Sequence, residues 1–329
     1  MRPIKFWLLI SAILFVSIGS LIIFLGLQQP RSTGKRFTSF SIESGQSFKS
    51  VSERLKNENL IRSQSLFYYL GRLTAKSGDL KAGEYEINAE MSAWEVLKVI
   101  TGSHVKLYKL TLPEGVNMFQ IAQLLDSMGL VDEMQFLESC WDPVLLAELH
   151  IPSLTAEGYL FPETYHIPRG SSPRAILRMF VDMFWTKMPE NFLSLAKNNP
   201  LSFHEAVIMA SVIEKETGLV GEMGLISSVF YNRLKSRMRL QSDPTAVYDI
   251  MPYGGRVTRG HLQRKSPFNT YQIDGLPLTP IGNPGLLSIQ AALLPQSSDY
   301  LYFVSRRDGS HHFSSTYDEH RGAIEKFLQ

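Results

Sequence analysis

Ser41-Ile42-Glu43-Ser44-Gly45, followed by Phe48, Val51, Leu55, Leu60 and Ile61, recurs at a constant offset of 70 as Thr111-Leu112-Pro113-Glu114-Gly115, followed by Met118, Ile121, Leu125, Leu130 and Val131. Ten positions in register mark a duplicated structural unit. In each copy a short extended run meets a Gly turn, and apolar residues spaced by three and four come next, which predicts a strand, a turn and an amphipathic helix. A second apolar stretch is present in both copies: Leu66, Phe67 and Leu70 in the first, Phe136, Leu137 and Cys140 in the second. Between the copies, Leu80-Lys81-Ala82-Gly83-Glu84-Tyr85-Glu86-Ile87 alternates after a turn, as a returning strand does. Strands and helices share each unit, so the fold class is α+β.

On the N-terminal side of the repeat, Phe6 to Leu27 is a run of 22 residues without a charge, 17 of them apolar and the rest Ser or Gly. As a helix at ~1.5 Å per residue it reaches ~33 Å, enough to cross a bilayer. A cleaved secretory signal would have a shorter apolar region and a small-residue cleavage site. Here the run ends in Gly26-Leu27-Gln28-Gln29-Pro30, which favours an uncleaved anchor over a signal peptide. Arg2 and Lys5 precede it while Arg31, Lys35 and Arg36 come after it, so flanking charge does not fix its sense. Long C-terminal domains translocate largely regardless of such charges, a short N-terminus commonly stays inside, and the bulk of the chain is expected outside the cytoplasm on a single-pass helix.

The whole chain, 329 residues with 44% apolar and 19% charged, is too long and too apolar for a mini-protein or a disordered one, and more than one domain is expected. Its net charge of +2 belongs to the anchor flanks: before Phe37 lie five basic residues and no acid, leaving 28 basic against 31 acidic, a net of −3. A faintly acidic ectodomain argues against nucleic acid as a partner. Cys140 is the only cysteine, so neither an intrachain disulfide nor a Cys-built metal cage can form, and a buried apolar role is expected for it.

The first repeat copy resembles a LysM-like module, the small β-α-α-β unit associated with N-acetylglucosamine-containing glycans; a purely structural module that binds nothing fits the same pattern. The expected organisation is a cytoplasmic tip, anchor and linker (1–36), a LysM-like module (37–105), a second repeat or connector (106–150) and a mixed α/β domain (151–329). Glu157-Gly158-Tyr159-Leu160-Phe161-Pro162-Glu163-Thr164-Tyr165 interleaves aromatics with carboxylates, as a loop lining a sugar groove or as a packed core loop would. A helix is expected from about Pro173 to Lys187.

Ser202-Phe203-His204-Glu205 is a capping box that starts a helix. Ala206, Val207, Ile208, Met209, Ala210, Val212 and Ile213 make that helix apolar almost all round, and Gly218 stops it. Glu214 shares a face with Val207, Ala210 and Ser211. Desolvation and the negative end of the helix dipole both favour its protonated form, which suits a general acid. Glu216, beside Val212 and Ile213, has similar surroundings, and local geometry does not choose between the two; a helix-end ion pair is the structural alternative for either.

Ala210-Ser211-Val212-Ile213-Glu214-Lys215-Glu216-Thr217 resembles the signature helix of the endolytic murein transglycosylases, the YceG-like (MltG) family of membrane-anchored enzymes acting on nascent peptidoglycan. Further segments match in order: Glu157-Gly158-Tyr159 through Tyr165; Val229-Phe230-Tyr231-Asn232-Arg233-Leu234; Met238-Arg239-Leu240-Gln241-Ser242-Asp243-Pro244-Thr245; Asn269-Thr270-Tyr271 with Gly275-Leu276-Pro277; Pro280-Ile281-Gly282-Asn283-Pro284-Gly285; and Tyr300-Leu301-Tyr302-Phe303-Val304. The match covers essentially the whole chain; Leu278-Thr279 departs from a common Pro-Gly pair. The resemblance implies that the 151–329 region is a catalytic transglycosylase domain and that Glu214, the first Glu of the Glu-Lys-Glu, is its catalytic acid. It also implies cleavage of the MurNAc-β-1,4-GlcNAc bond with 1,6-anhydroMurNAc ends, peptidoglycan synthases as potential partners, and neither cofactor nor metal. Gln241, Asp243, Asn269 and Tyr271, then Glu163 and Tyr231, are the candidates for holding the glycan strand. Two other enzyme classes lack their marks: Ser194-Leu195-Ala196-Lys197 has no S-D-N or K-T-G companion, and no HExxH pair is present. The non-enzymatic alternative is a membrane-tethered glycan-binding scaffold.

Overall fold

The computed structural model describes residues 37–43, 45–88, 90–102, 105–250 and 254–328. The stretch Phe6 to Leu27, read from the sequence as a membrane anchor, lies outside them. Among the described residues no helix is long and apolar enough to cross a membrane. Two compact units are present: the chain up to Tyr108 with His166–Ser171, and Lys109–Tyr165 with Ser172–Gln329.

In the first unit, β1 (Phe37–Ile42) leads to α1 (Phe48–Asn57), α2 (Gln64–Leu73), a 3-10 turn, β2 (Gly83–Asn88) and α3 (Ala93–Thr101). Strands β1 and β2 pair antiparallel, from Phe37 opposite Asn88 to Ile42 opposite Gly83. Ser47 and Ser63 cap the two helices, each hydroxyl accepting from an amide three residues on. The apolar residues of the repeat become one core: Phe40, Ile42, Val51, Leu55 and Phe67 pack with Tyr85, Ile87 and Leu97, and the Phe48 and Phe67 rings stack at 5.6 Å.

The second copy reproduces this local order. After β3 (Leu107–Thr111), which pairs with β4 (Thr164–Pro168), the chain turns at Gly115 and forms α4 (Met118–Ser127), α5 (Glu133–Cys140) and α6 (Pro143–Glu148). Gly45 and Gly115 both adopt left-handed backbone, φ 83° and 74°, which a side chain would strain. The sequence set residues 106–150 apart as a repeat or connector; in the structure 109–150 belong to the same compact unit as 172–329. Helix α5 ties the two stretches together. Its buried residues Phe136, Leu137 and Cys140 pack toward α7 (Pro173–Lys187), with the Phe136 and Phe180 rings 6.1 Å apart.

The rest of this unit comprises α8 (Glu190–Asn198), α9 (Phe203–Glu216), α10 (Val220–Lys235), a 3-10 turn at Asp243–Ala246, α11 (Arg259–Gln263), α12 (Leu286–Leu293), the antiparallel pair β5 (Tyr302–Ser305) and β6 (His311–Ser314), and α13 (Tyr317–Leu328). Helix α9 is its axis. Every residue from Ala206 to Ile213 is buried, and α8, α10 and α12 pack around it. The 157–165 loop proves to be core: Tyr159 and Tyr165 are buried, and the Tyr159 ring lies 4.8 Å from that of Phe184 while its hydroxyl meets His204 Nδ1 at 2.9 Å.

Candidate active site

The capping box forms as read: Ser202 Oγ accepts from the Glu205 amide, and Glu205 Oε2 accepts from the Ser202 amide at 2.8 Å. With the start of α9 fixed and its body buried, its last turn delivers Glu214, Lys215 and Glu216 into the interior of the unit. Glu214 is half-buried, and its Oε2 accepts the N–H of Gly285, the N-cap residue of α12, at 2.9 Å. Two glycines make room, one for this side chain and one for that of Glu114. A Cβ on Gly115 would stand 3.2 Å from Glu214 Cγ, and a Cβ on Gly285 would run into the carboxylate of Glu114. Glu114 and Glu214 thus converge on the start of α12.

The loop carrying Gly285 is clamped from three directions. Ser211, on the Glu214 face of α9, accepts the Ile281 N–H at 3.0 Å and donates to the Ile208 carbonyl at 2.7 Å. Asn283 is fully buried: its backbone exchanges bonds with Gly115 and Val116, its Oδ1 accepts the amides of Gly158 and Leu160, and its Nδ2 donates to Val116 O and, at 2.8 Å, to Glu157 Oε1. Glu157 also accepts the Met118 N–H at 3.0 Å and the Tyr248 hydroxyl at 2.7 Å. Burial pushes the Glu157 carboxyl up to about 7 against the pull of these donors.

Burial also raises the pKa of Glu214; the Gly285 N–H and the Ser288 hydroxyl pull it down, the Glu114 charge pushes it up, and Lys215 adds a smaller downward pull. Burial raises Glu216 to about 7, with the Ser242 hydroxyl donating to its carboxylate. Lys215, half-buried, is lowered by desolvation.

Three cavities are lined by the last turn of α9 and the loops packed against it. The first, about 660 Å³, is lined by Glu114, Gly115, Gln120 and Lys215. The second, about 230 Å³, shares Gln120 and Lys215 and reaches Asp243 and Tyr248. The third, about 310 Å³, shares Asp243 and holds Glu216, Gln241, Tyr271, Arg233 and His311. Gln120 and Lys215 thus border the first two and Asp243 the last two; Glu214 lines none of them, its Cγ lying close against Gly115, which lines the first.

Of the residues chosen from the sequence, Gln241, Asp243 and Tyr271 come together in the third cavity, around Glu216. The Tyr271 hydroxyl donates to Asp243 Oδ1 at 2.6 Å, and Gln241 holds left-handed backbone, φ 50°. Three candidates stand apart. Asn269 is fully buried and its amide donates to the carbonyls of His261, Leu262 and Arg264, so it fastens a loop and presents nothing to a ligand. Tyr231 spends its hydroxyl on Asn199 and the Ala292 carbonyl. Glu163 pairs with Lys187 at 2.9 Å and lines none of the three cavities. Glu114, Glu157, Ser211 and Asn283 were not among the chosen residues. All but Glu114 lie in the matched motifs, and that placement was the available signal. Among the described residues no cluster of His, Cys, Asp and Glu has the arrangement to hold a metal ion.

The profile of the YceG-like family matches residues 40–326. A Bacillus subtilis (strain 168) protein named endolytic murein transglycosylase is 32% identical over 318 residues, covering 92% of this chain and 88% of its own. A Streptococcus pneumoniae (serotype 2, strain D39) protein of the same name is 27% identical over 324 residues; the match covers 88% of this chain and 58% of that longer relative. The crystal structure of a yceG-like protein from Listeria monocytogenes superposes with a TM-score of 0.61 at 31% identity, over 87% of this chain and 98% of that one.

Proposed function

This chain belongs to the YceG-like family, and from that premise we propose that it is an endolytic murein transglycosylase that cuts the MurNAc-β-1,4-GlcNAc bond of peptidoglycan strands, with Glu214 as acid and then base. The observation that carries the reading is Glu214 itself, a carboxyl with its pKa raised by burial that accepts the Gly285 N–H close to Glu114, which with Gly115 and Lys215 lines a cavity of about 660 Å³. A protonated Glu214 gives its proton to the glycosidic oxygen as the C1–O bond breaks, and positive charge develops at the muramic C1. The Gly285 N–H is in place to stabilise the carboxylate left behind, and the Glu114 carboxylate to stabilise the cation. Glu214 then takes the proton of that sugar's own 6-hydroxyl as its oxygen bonds to C1. The ring closes as a 1,6-anhydro sugar and Glu214 is protonated again. No water is consumed.

Glu216 serves a different purpose in this reading. With Gln241, Asp243 and Tyr271 it forms a polar subsite for the strand, its own carboxyl occupied by Ser242. The β-α-α-β order and antiparallel pairing of the first unit support a LysM-like module that adds affinity for glycan. The uncharged run from Phe6 to Leu27 supports a single-pass anchor in the cytoplasmic membrane with both units outside, near the synthases that extrude new strands.

Product analysis on uncrosslinked strands tests the reading. Anhydromuramyl ends are expected; reducing ends would replace the mechanism with hydrolysis, and no cleavage by folded protein would leave a glycan-binding scaffold.

A further inference from the structure

Helix α2 of the first unit turns three large apolar side chains outward: Leu66, Tyr69 and Leu73, which are 38%, 62% and 86% exposed. Their spacing of three and four puts them on one side of the helix, opposite the buried Phe67 and Gly71. Exposed Arg72 borders the stripe, and Lys76 lies in the 3-10 turn just beyond it. From Gly45 to Lys81 the chain carries seven Lys or Arg against three Asp or Glu, a net of +4, whereas everything after residue 36 totals −3. Positive charge therefore outweighs negative along the stretch of chain that also bears the apolar stripe.

We propose that the outward face of α2 docks on the anionic phospholipid surface of the membrane that anchors the chain, a proposal that rests on the anchor reading above. Leucines entering the acyl boundary, a tyrosine at headgroup level and flanking cations are the chemistry of an interfacial helix. A second copy of the same face would bring like charges together, and a glycan calls for aromatic platforms with hydrogen-bonding groups, not for two leucines. Chain length supports the same occupant. Nine residues separate Leu27 from Phe37, where β1 begins, and nine residues span at most ~30 Å. So short a leash gives the face an effective concentration on the order of millimolar at the bilayer, where a weak surface suffices. Docking would set the height of the first unit above the lipid.

The test uses the full chain in nanodiscs containing phosphatidylglycerol. Cys140 is fully buried, so a fluorophore can be placed through Tyr69→Cys, with Glu86→Cys, exposed on β2, as the control site. Spin-labelled lipids should quench the label at residue 69 several-fold more than the label at 86. The preference should vanish in Leu66→Ser/Leu73→Ser, and fall when neutral lipid replaces phosphatidylglycerol. Equal quenching at both sites, or none at 69 in a chain that resists carbonate extraction, overturns the docking face and leaves the anchor standing. A chain that carbonate extracts removes the anchor, and this proposal with it.

Discussion

Glu214 can act twice only if its surroundings oppose its charge without forbidding it. Burial and the Glu114 carboxylate hold the proton on; the Gly285 N–H and Ser288 make the ionised form tolerable once the proton has left. Glu214→Gln should reduce cleavage by roughly 10²-fold or more with little change in melting temperature, because the amide oxygen can still accept from Gly285. If that variant stays active while Glu216→Gln is dead, the two carboxyls have exchanged roles. Glu114→Gln separates charge from shape. Removing the like charge lowers the pKa of Glu214, so the high-pH limb of kcat, where the acid loses its proton, should move to lower pH. The rate itself should fall on the order of tenfold through loss of cation stabilisation. A purely structural Glu114 would leave the position of that limb unmoved.

At the scale of elements, the site is a helix end and two loops drawn together. Gly158 shows how tightly: it holds φ +88°, and a Cβ there would collide with Pro280 and press on Val207 of α9. Gly158→Ala should cost about 2–4 kcal/mol from left-handed strain and overpacking, measured by denaturant unfolding. An unchanged midpoint would mean that the 157–165 loop does not pack tightly on α9. What the sequence made legible here was local: the strand-turn-helix pattern within each repeat copy, the capping box, the apolar belt of α9 and the Gly turns each depend on residues within a few positions of one another. The clamp was not legible, because Asn283 reaches Gly158 and Val116 across 125 and 167 positions. Nor does a polar residue in a shared motif announce its partner. Asn269, which fastens a loop, and Asp243, which borders the cavities, look alike until their hydrogen bonds are seen.

For the molecule as a whole, stability depends on burial, since the lone Cys140 offers no disulfide. Two carboxyls, the fully buried Glu157 and the half-buried Glu216, are raised by desolvation from 4.5 to about 7. Each binds its proton more tightly folded than unfolded, so its contribution is fully present below about 4.5 and is lost as pH rises through about 7. A shift of that size corresponds to at most about 3 kcal/mol for each group. His204, lowered by desolvation, acts in the opposite sense, losing stability as pH falls through the ordinary histidine range. A difference between two proteins cancels that background. Wild type and Glu216→Gln, melted from pH 5 to pH 8, isolate one carboxyl, and glutamine can still accept from Ser242. The wild type should lose several degrees more than the variant across that interval, with most of the loss below pH 7. Parallel curves would mean that Glu216 is already ionised at pH 5, in which case a charged carboxylate, not a neutral acid, lines the third cavity beside Asp243.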